Sequence, residues 1–178
     1  MTLMRMTMRR SLLLLAAAGL ALFGVGKLFA WGGGGEQTPA DFVTGGGWIV
    51  GTPSGAMGNF GVGGGVKNGA FWGHLNYLDH GSGLHVKATS ITGYLFVDDR
   101  TRDICGTYET DTGDSGYFRV RVTDNGEPGR DDFFGIRLQS GYTAAGDLGG
   151  PGPGGGNIQL HKGNKSNTPP SSGSFCPV

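Results

Sequence analysis

The residues best equipped for chemistry are few, and they gather at turns. Asp79, His80 and His85 flank the Gly81-Ser82-Gly83 turn inside the stretch from Ala70 to Val97. Imidazole and carboxylate are metal ligands, and the turn would bring the three together. Their spacing matches no recognised zinc pattern, and polar residues at a solvated turn are the plain alternative. Asp124, Glu127, Asp131 and Asp132 form an acidic loop with Asn125, Gly126 and Gly129. Calcium takes such oxygen ligands, but the EF-hand order is absent, so a solvated turn is the default there too.

Two further patterns weaken on inspection. Gly113-Asp114-Ser115-Gly116 carries the GDSG of a nucleophilic serine. That serine needs a histidine base and an orienting aspartate. Here Tyr117 follows, and no histidine stands in a suitable context, so a hairpin turn explains the motif. Glu109 and Asp111 are the nearest acids for a glycosidase-type pair, but they stand where a strand enters a turn, as solvated acids do. The glycine clusters at 61–65 and 149–156 precede no strand-to-helix unit, which a phosphate loop requires. The sequence therefore assigns no catalytic residue and no cofactor.

The elements that must position these residues are strands. Eight segments alternate or run apolar: Phe42–Val50, Asn59–Lys67, Phe71–Asp79, Leu84–Val97, Asp103–Thr110, Tyr117–Thr123, Asp132–Ser140 and Asn157–His161. Phe118, Val120 and Val122 alternate with Arg119 and Arg121, and Phe134, Ile136 and Leu138 with Arg137 and Gln139. Such alternation gives one dry and one wet face, as in antiparallel sheets. The connections carry turn residues, and no segment after residue 30 has a helical stripe. The expected fold is all-β: an antiparallel meander of about eight strands, closed as a barrel or folded as a sandwich.

The central hairpin sets the register that matters most. If Asp79 pairs with Leu84, then Leu75 and Tyr77 share a face with Val86, Ala88 and Ser90, and His74 and Asn76 lie beside Lys87 and Thr89. A slip by one moves His74 and Asn76 to the apolar side. The first register sorts apolar with apolar. The wet face then carries His74, Asn76, Lys87, Arg119, Arg121, Arg137, Gln159 and His161. Lining a pocket, they would suit an anionic or sugar-like ligand, with Trp72 or Trp48 stacking at the rim. Facing outward, they are ordinary surface.

Residues 1–30 have the layout of an export signal: Arg5, Arg9 and Arg10, an apolar run from Ser11 to Val25, and a small residue at Ala30. An uncleaved anchor is the alternative. Residues 31–40 are a glycine-rich spacer, 41–161 the β-domain, and 162–178 a Ser/Pro-rich tail. Removing 1–30 takes away four bases and no acid from a chain with fourteen of each, leaving a net charge near −4. That argues against nucleic acid as a partner. Export makes a disulfide between Cys105 and Cys176 the natural reading. Glycine is 38 of 178 residues, yet aromatics are 10%, so the glycines belong to a packed structure rather than a disordered one.

Four phrases recur together in one order: Val43-Thr44-Gly45-Gly46-Gly47-Trp48-Ile49, then Gly73-His74-Leu75-Asn76-Tyr77-Leu78-Asp79-His80, then Thr123-Asp124-Asn125-Gly126-Glu127-Pro128-Gly129, then Gly155-Gly156-Asn157-Ile158-Gln159-Leu160-His161. In this order they resemble the post-COAP type of domain of exported bacterial proteins, across nearly the whole stretch from Val43 to His161. The resemblance implies a secreted or surface β-domain and carries no activity. The expected role is non-enzymatic, in binding or structure at the envelope, with an envelope component, a polysaccharide or the chain itself as partner. A small β-barrel enzyme or carrier, and a self-associating extracellular protein, are the alternatives.

Overall fold

The computed structural model describes residues 39–150, 155–163, 170 and 172–178. The chain divides into Met1–Trp31 and Gly32–Val178. The expected export signal and most of the expected spacer lie outside the described residues. The described residues form nine strands: β1 Phe42–Ile49, β2 Gly58–Lys67, β3 Ala70–Asp79, β4 Leu84–Phe96, β5 Thr101–Thr110, β6 Ser115–Thr123, β7 Phe133–Leu138, β8 Thr143–Asp147 and β9 Gly156–His161. They form one antiparallel sheet in the order β8-β7-β6-β5-β4-β3-β2-β1-β9. The meander thus runs unbroken from β1 to β8, and β9 returns to the free edge of β1. The ninth strand, β8, is not among the eight expected segments. Its sequence, Thr-Ala-Ala-Gly-Asp, lacks the β-branched and aromatic alternation that marks a strand.

The sheet curls into a half-barrel around its apolar face. Phe60 on β2 stacks on Phe134 of β7 with ring centroids 3.8 Å apart, although those strands are five places apart in the sheet. Tyr77 lies 6.0 Å from the same ring. Tyr77, Tyr94, Phe118, Phe134, Ile104 and Ile136 are wholly buried there. Among the described residues, these side chains pack into one cluster that fills the inner face. Glycine permits the curl at close approaches: a Cβ on Gly64 would lie 2.8 Å from Ile104, and one on Gly45 2.7 Å from Ile158.

The central hairpin pairs Asp79 with Leu84, Tyr77 with Val86 and Asn76 with Lys87. This is the register that sorts apolar with apolar. Strand β4, expected to run without interruption, shifts register between Ala88 and Ser90 and again between Ile91 and Gly93. The first shift turns Ser90 out to solvent instead of placing it with Val86 and Ala88. The second leaves Gly93 facing the C-terminal tail. Phe175 N–H donates to Thr92 O at 2.9 Å, and Cys176 is bonded to Cys105. A Cβ on Gly93 would come within 3.3 Å of both Phe175 and Cys176, so the glycine lets the tail lie flat on the sheet.

Candidate functional site

Each expected site residue can now be placed. Asp79, expected at a solvated turn beside His80 and His85, is fully buried. Its Oδ1 accepts from Ser54 Oγ at 2.5 Å and from Gly81 N–H at 3.0 Å, and its Oδ2 from Tyr142 O–H at 3.0 Å. Tyr142 spends its one proton there, so Tyr77 must donate across the 2.8 Å between the two hydroxyls. His80 turns away to Asn59. His85 lies between Asp111 at 2.7 Å and Asn76 at 3.0 Å. The three are not gathered: among the described residues no group of three or more His, Cys, Asp or Glu could hold an ion. A strand end that looks solvated in sequence is covered here by the loops at 52–56 and 80–83.

Burial pulls the Asp79 carboxyl up, but the bonds from Ser54, Ser82, Gly81 and Tyr142 together bring it below the ordinary carboxylate value. Burial is also the main reason that the Tyr77 hydroxyl is pushed up to about 12, and it raises Tyr142 as well. The sign for stability follows from the depressed carboxyl. Its contribution is fully present above the unfolded-state pKa near 4 and is lost as pH falls through the lower folded value. Asp79→Asn should therefore flatten the acid side of the stability–pH curve below about pH 4, measured by denaturant unfolding from pH 2 to 7. An acid limb as steep as in the wild type would refute the assignment.

The acidic loop is also no calcium cage. Asp132 is buried, and its carboxylate accepts from Asn125 N–H and from Ile158 N–H, both at 2.7 Å. Asp124 accepts from Leu160 N–H at 2.8 Å. Glu127 accepts from the side-chain amides of Asn157 and Gln159, each at 3.0 Å, and Asp131 is exposed. These donors all belong to this loop or to β9. The carboxylates, read by default as a solvated turn and weighed as calcium ligands, cap the outer edge of β9, beyond which no described strand pairs. Burial, above all, raises the Asp132 carboxyl; the two amides oppose it, and Asp124 and Glu127 add to it. At the other edge of the sheet, Ala145 N–H of β8 donates to Gly51 O at 3.0 Å.

The eight wet-face candidates all project outward, but into separate groups. Asp103, on the outer face yet fully buried, holds two arginines. Arg119 reaches its Oδ2 through Nε at 2.8 Å, and Arg121 spans both oxygens through Nε and a terminal nitrogen at 2.8 Å each. Arg137 stands opposite Arg119 in the ladder. Lys87 pairs with Asp111 at 2.9 Å, and Lys87, with His85 after it, draws the Asp111 carboxyl down. Arg102 is an inward-facing residue not anticipated from the sequence. Buried with Tyr94, it meets the part-buried Asp41: Tyr94 O–H and Arg102 Nε both donate to Asp41 Oδ1, at 2.8 and 3.1 Å. Ser115 opens β6 beside the turn closed by Gly113 N–H to Thr110 O; the GDSG motif is this turn.

The last group lies on the outer face of β9, β1, β2 and β3. The ladder registers set four rows there: His161, Phe42, Gly65 and Trp72; Gln159, Thr44, Gly63 and His74; Asn157, Gly46, Gly61 and Asn76; then Trp48, Asn59 and Leu78. Phe42 stacks on His161 with centroids 4.5 Å apart and lies 5.7 Å from Trp72. Thr44 Oγ1 is 2.9 Å from His161 Nε2. Sequence reasoning named His74, Asn76, Gln159, His161 and both tryptophans. It missed Phe42 and Thr44, which only the β1–β9 pairing brings in. No known protein family, curated protein or solved structure matches the chain.

Proposed function

We propose that the protein is an exported, non-enzymatic β-domain that acts at or outside the bacterial envelope through the outer face of its sheet. One observation carries this reading: apart from the Arg102–Asp41 pair, the concave side is filled by apolar and aromatic side chains, while His74, Asn76, Lys87, Gln159 and His161 all project from the other side. A carrier or small barrel enzyme would need those polar groups inside a cavity. The Cys105–Cys176 disulfide suits an oxidising compartment, and the resemblance of four phrases to post-COAP-type domains points the same way. Self-association by strand addition is the weaker reading, because carboxylates occupy the edge amides of β9.

The test is fractionation of bacteria that produce the full chain. The protein should be recovered outside the cytoplasm, at the mass of a chain lacking residues 1–30, and should take up no alkylating agent until reduced. Washed envelopes should sediment it. Cytoplasmic recovery with two reactive thiols would end the reading.

A further inference from the structure

We infer that the outer face of β9, β1, β2 and β3 binds a neutral polysaccharide along a strip running from Trp48 to Trp72. The inference rests on the reading above, that the outer face does the work, and adds the class of ligand. Its first support is charge. The four rows contain no Asp, Glu, Lys or Arg, whereas a protein surface usually carries roughly a quarter to a third of such residues. Charged groups stand at the margins: Glu127 beyond Asn157 and Gln159, Lys87 and Asp111 beyond Asn76, and Lys67 beyond Gly65. A surface without charge complements a ligand without charge, which sets aside nucleic acids, anionic polymers and basic peptides.

The second support is the kind of groups present. Phe42, Trp72 and Trp48 are partly exposed rings, and the hydrogen-covered faces of sugar rings pack on such surfaces. Between them stand neutral amides, imidazoles and a hydroxyl, which match sugar hydroxyls. Asn59 and Asn76 use only their oxygens, toward His80 and His85, so their amino groups remain for a ligand. Trp48 pairs with Asn59, and Trp72 with Gly65. Six residues along β2 separate them by roughly 20 Å at about 3.4 Å each, room for several linked rings.

The third support is Gly61, in the middle of the strip. The neighbouring glycines have local reasons: a Cβ on Gly65 would lie 2.6 Å from Phe42, and one on Gly63 3.0 Å from His74. Gly61 has none. A Cβ there would meet nothing within 4 Å, and its φ is not positive. A glycine in mid-strand costs stability and often marks a close approach by another molecule. With Gly46 beside it, Gly61 leaves a shallow hollow between Asn157 and Asn76, where a sugar ring can rest on the backbone.

The test is affinity electrophoresis of the disulfide-bonded chain through gels containing hydroxyethyl cellulose, dextran or mannan, with alginate as an anionic control. At least one neutral polymer should retard the wild type, and alginate should not compete. Trp72→Ala should weaken retardation about tenfold, or ~1.4 kcal/mol. Gly61→Gln, which fills the hollow from an open position, should do the same with an unchanged melting temperature. No retardation by any neutral polymer, retardation by alginate alone, or wild-type retardation of both variants would overturn the inference. If envelopes still sediment the chain, the broader reading survives that failure. A chain confined to the cytoplasm would remove the broader reading whatever the gels show.

Discussion

Replacing Asp103 by alanine should destabilise the folded chain by about 3–5 kcal/mol, the usual cost of removing one partner from a buried ion pair. Asp103 is fully buried on the outer face, beneath Arg119 and Arg121, whose side chains are themselves only 13% and 9% exposed. The substitution leaves both guanidiniums without the carboxylate they share, in a place where water replaces it poorly. Asp103→Asn should cost less, because an amide oxygen still accepts hydrogen bonds while the charge is lost. Urea unfolding of the three chains at neutral pH measures the difference. A change below about 1 kcal/mol for alanine, the range of exposed ion pairs, would show that the cluster is effectively solvated. Because the cluster belongs to β5 and β6, its loss should leave the β9–β3 strip intact in chains that remain folded. Polysaccharide retardation and stability are therefore separable by mutation.

Much of this architecture is written in local sequence. Strand β6 was legible because Phe118, Val120 and Val122 alternate with arginines, and the β3–β4 register because only one pairing sorts Leu75, Tyr77 and Val86 to one side. Local patterns cannot show what covers a strand end. Asp79 reads as solvated until the 52–56 loop and Tyr142 are seen to enclose it. The acidic loop reads as a solvated turn until β9 is seen to have no outer neighbour among the described residues, so that its amides need acceptors. The shifts in β4 leave no composition signal, since Thr89 and Thr92 are ordinary strand residues. The candidate site was legible as a set of residue types and not as a place. Phe42, Thr44 and His161 meet only because β9 returns to β1, a pairing more than a hundred residues long in sequence.

The second large effect belongs to the covalent tie. Cys105 lies in β5, fully buried, and Cys176 lies in the C-terminal tail, at a sequence separation of 71. Constraining a loop of that length in the unfolded chain is worth about 4 kcal/mol on the chain-entropy account, and loss of a native disulfide from a small domain usually costs about 2–5 kcal/mol. Replacing both cysteines by alanine should therefore lower stability within that range, measured by urea unfolding. The noncovalent hold on the tail is modest by comparison. Among the described residues it includes Phe175 N–H to Thr92 O, Thr92 O–H to Phe175 O at 2.8 Å, Ser174 against Tyr94, and an edge contact of Phe175 with Tyr117. A net 0.5–1.5 kcal/mol per hydrogen bond scarcely offsets the entropy of ordering a free end. In the double variant the tail should detach, and protease should trim residues beyond about 163 while the sheet persists. Gly93 would then lie open on the outer face of β4. Retention of the tail against protease, with stability within about 1 kcal/mol of the wild type, would mean that packing holds it and that the disulfide only records its position.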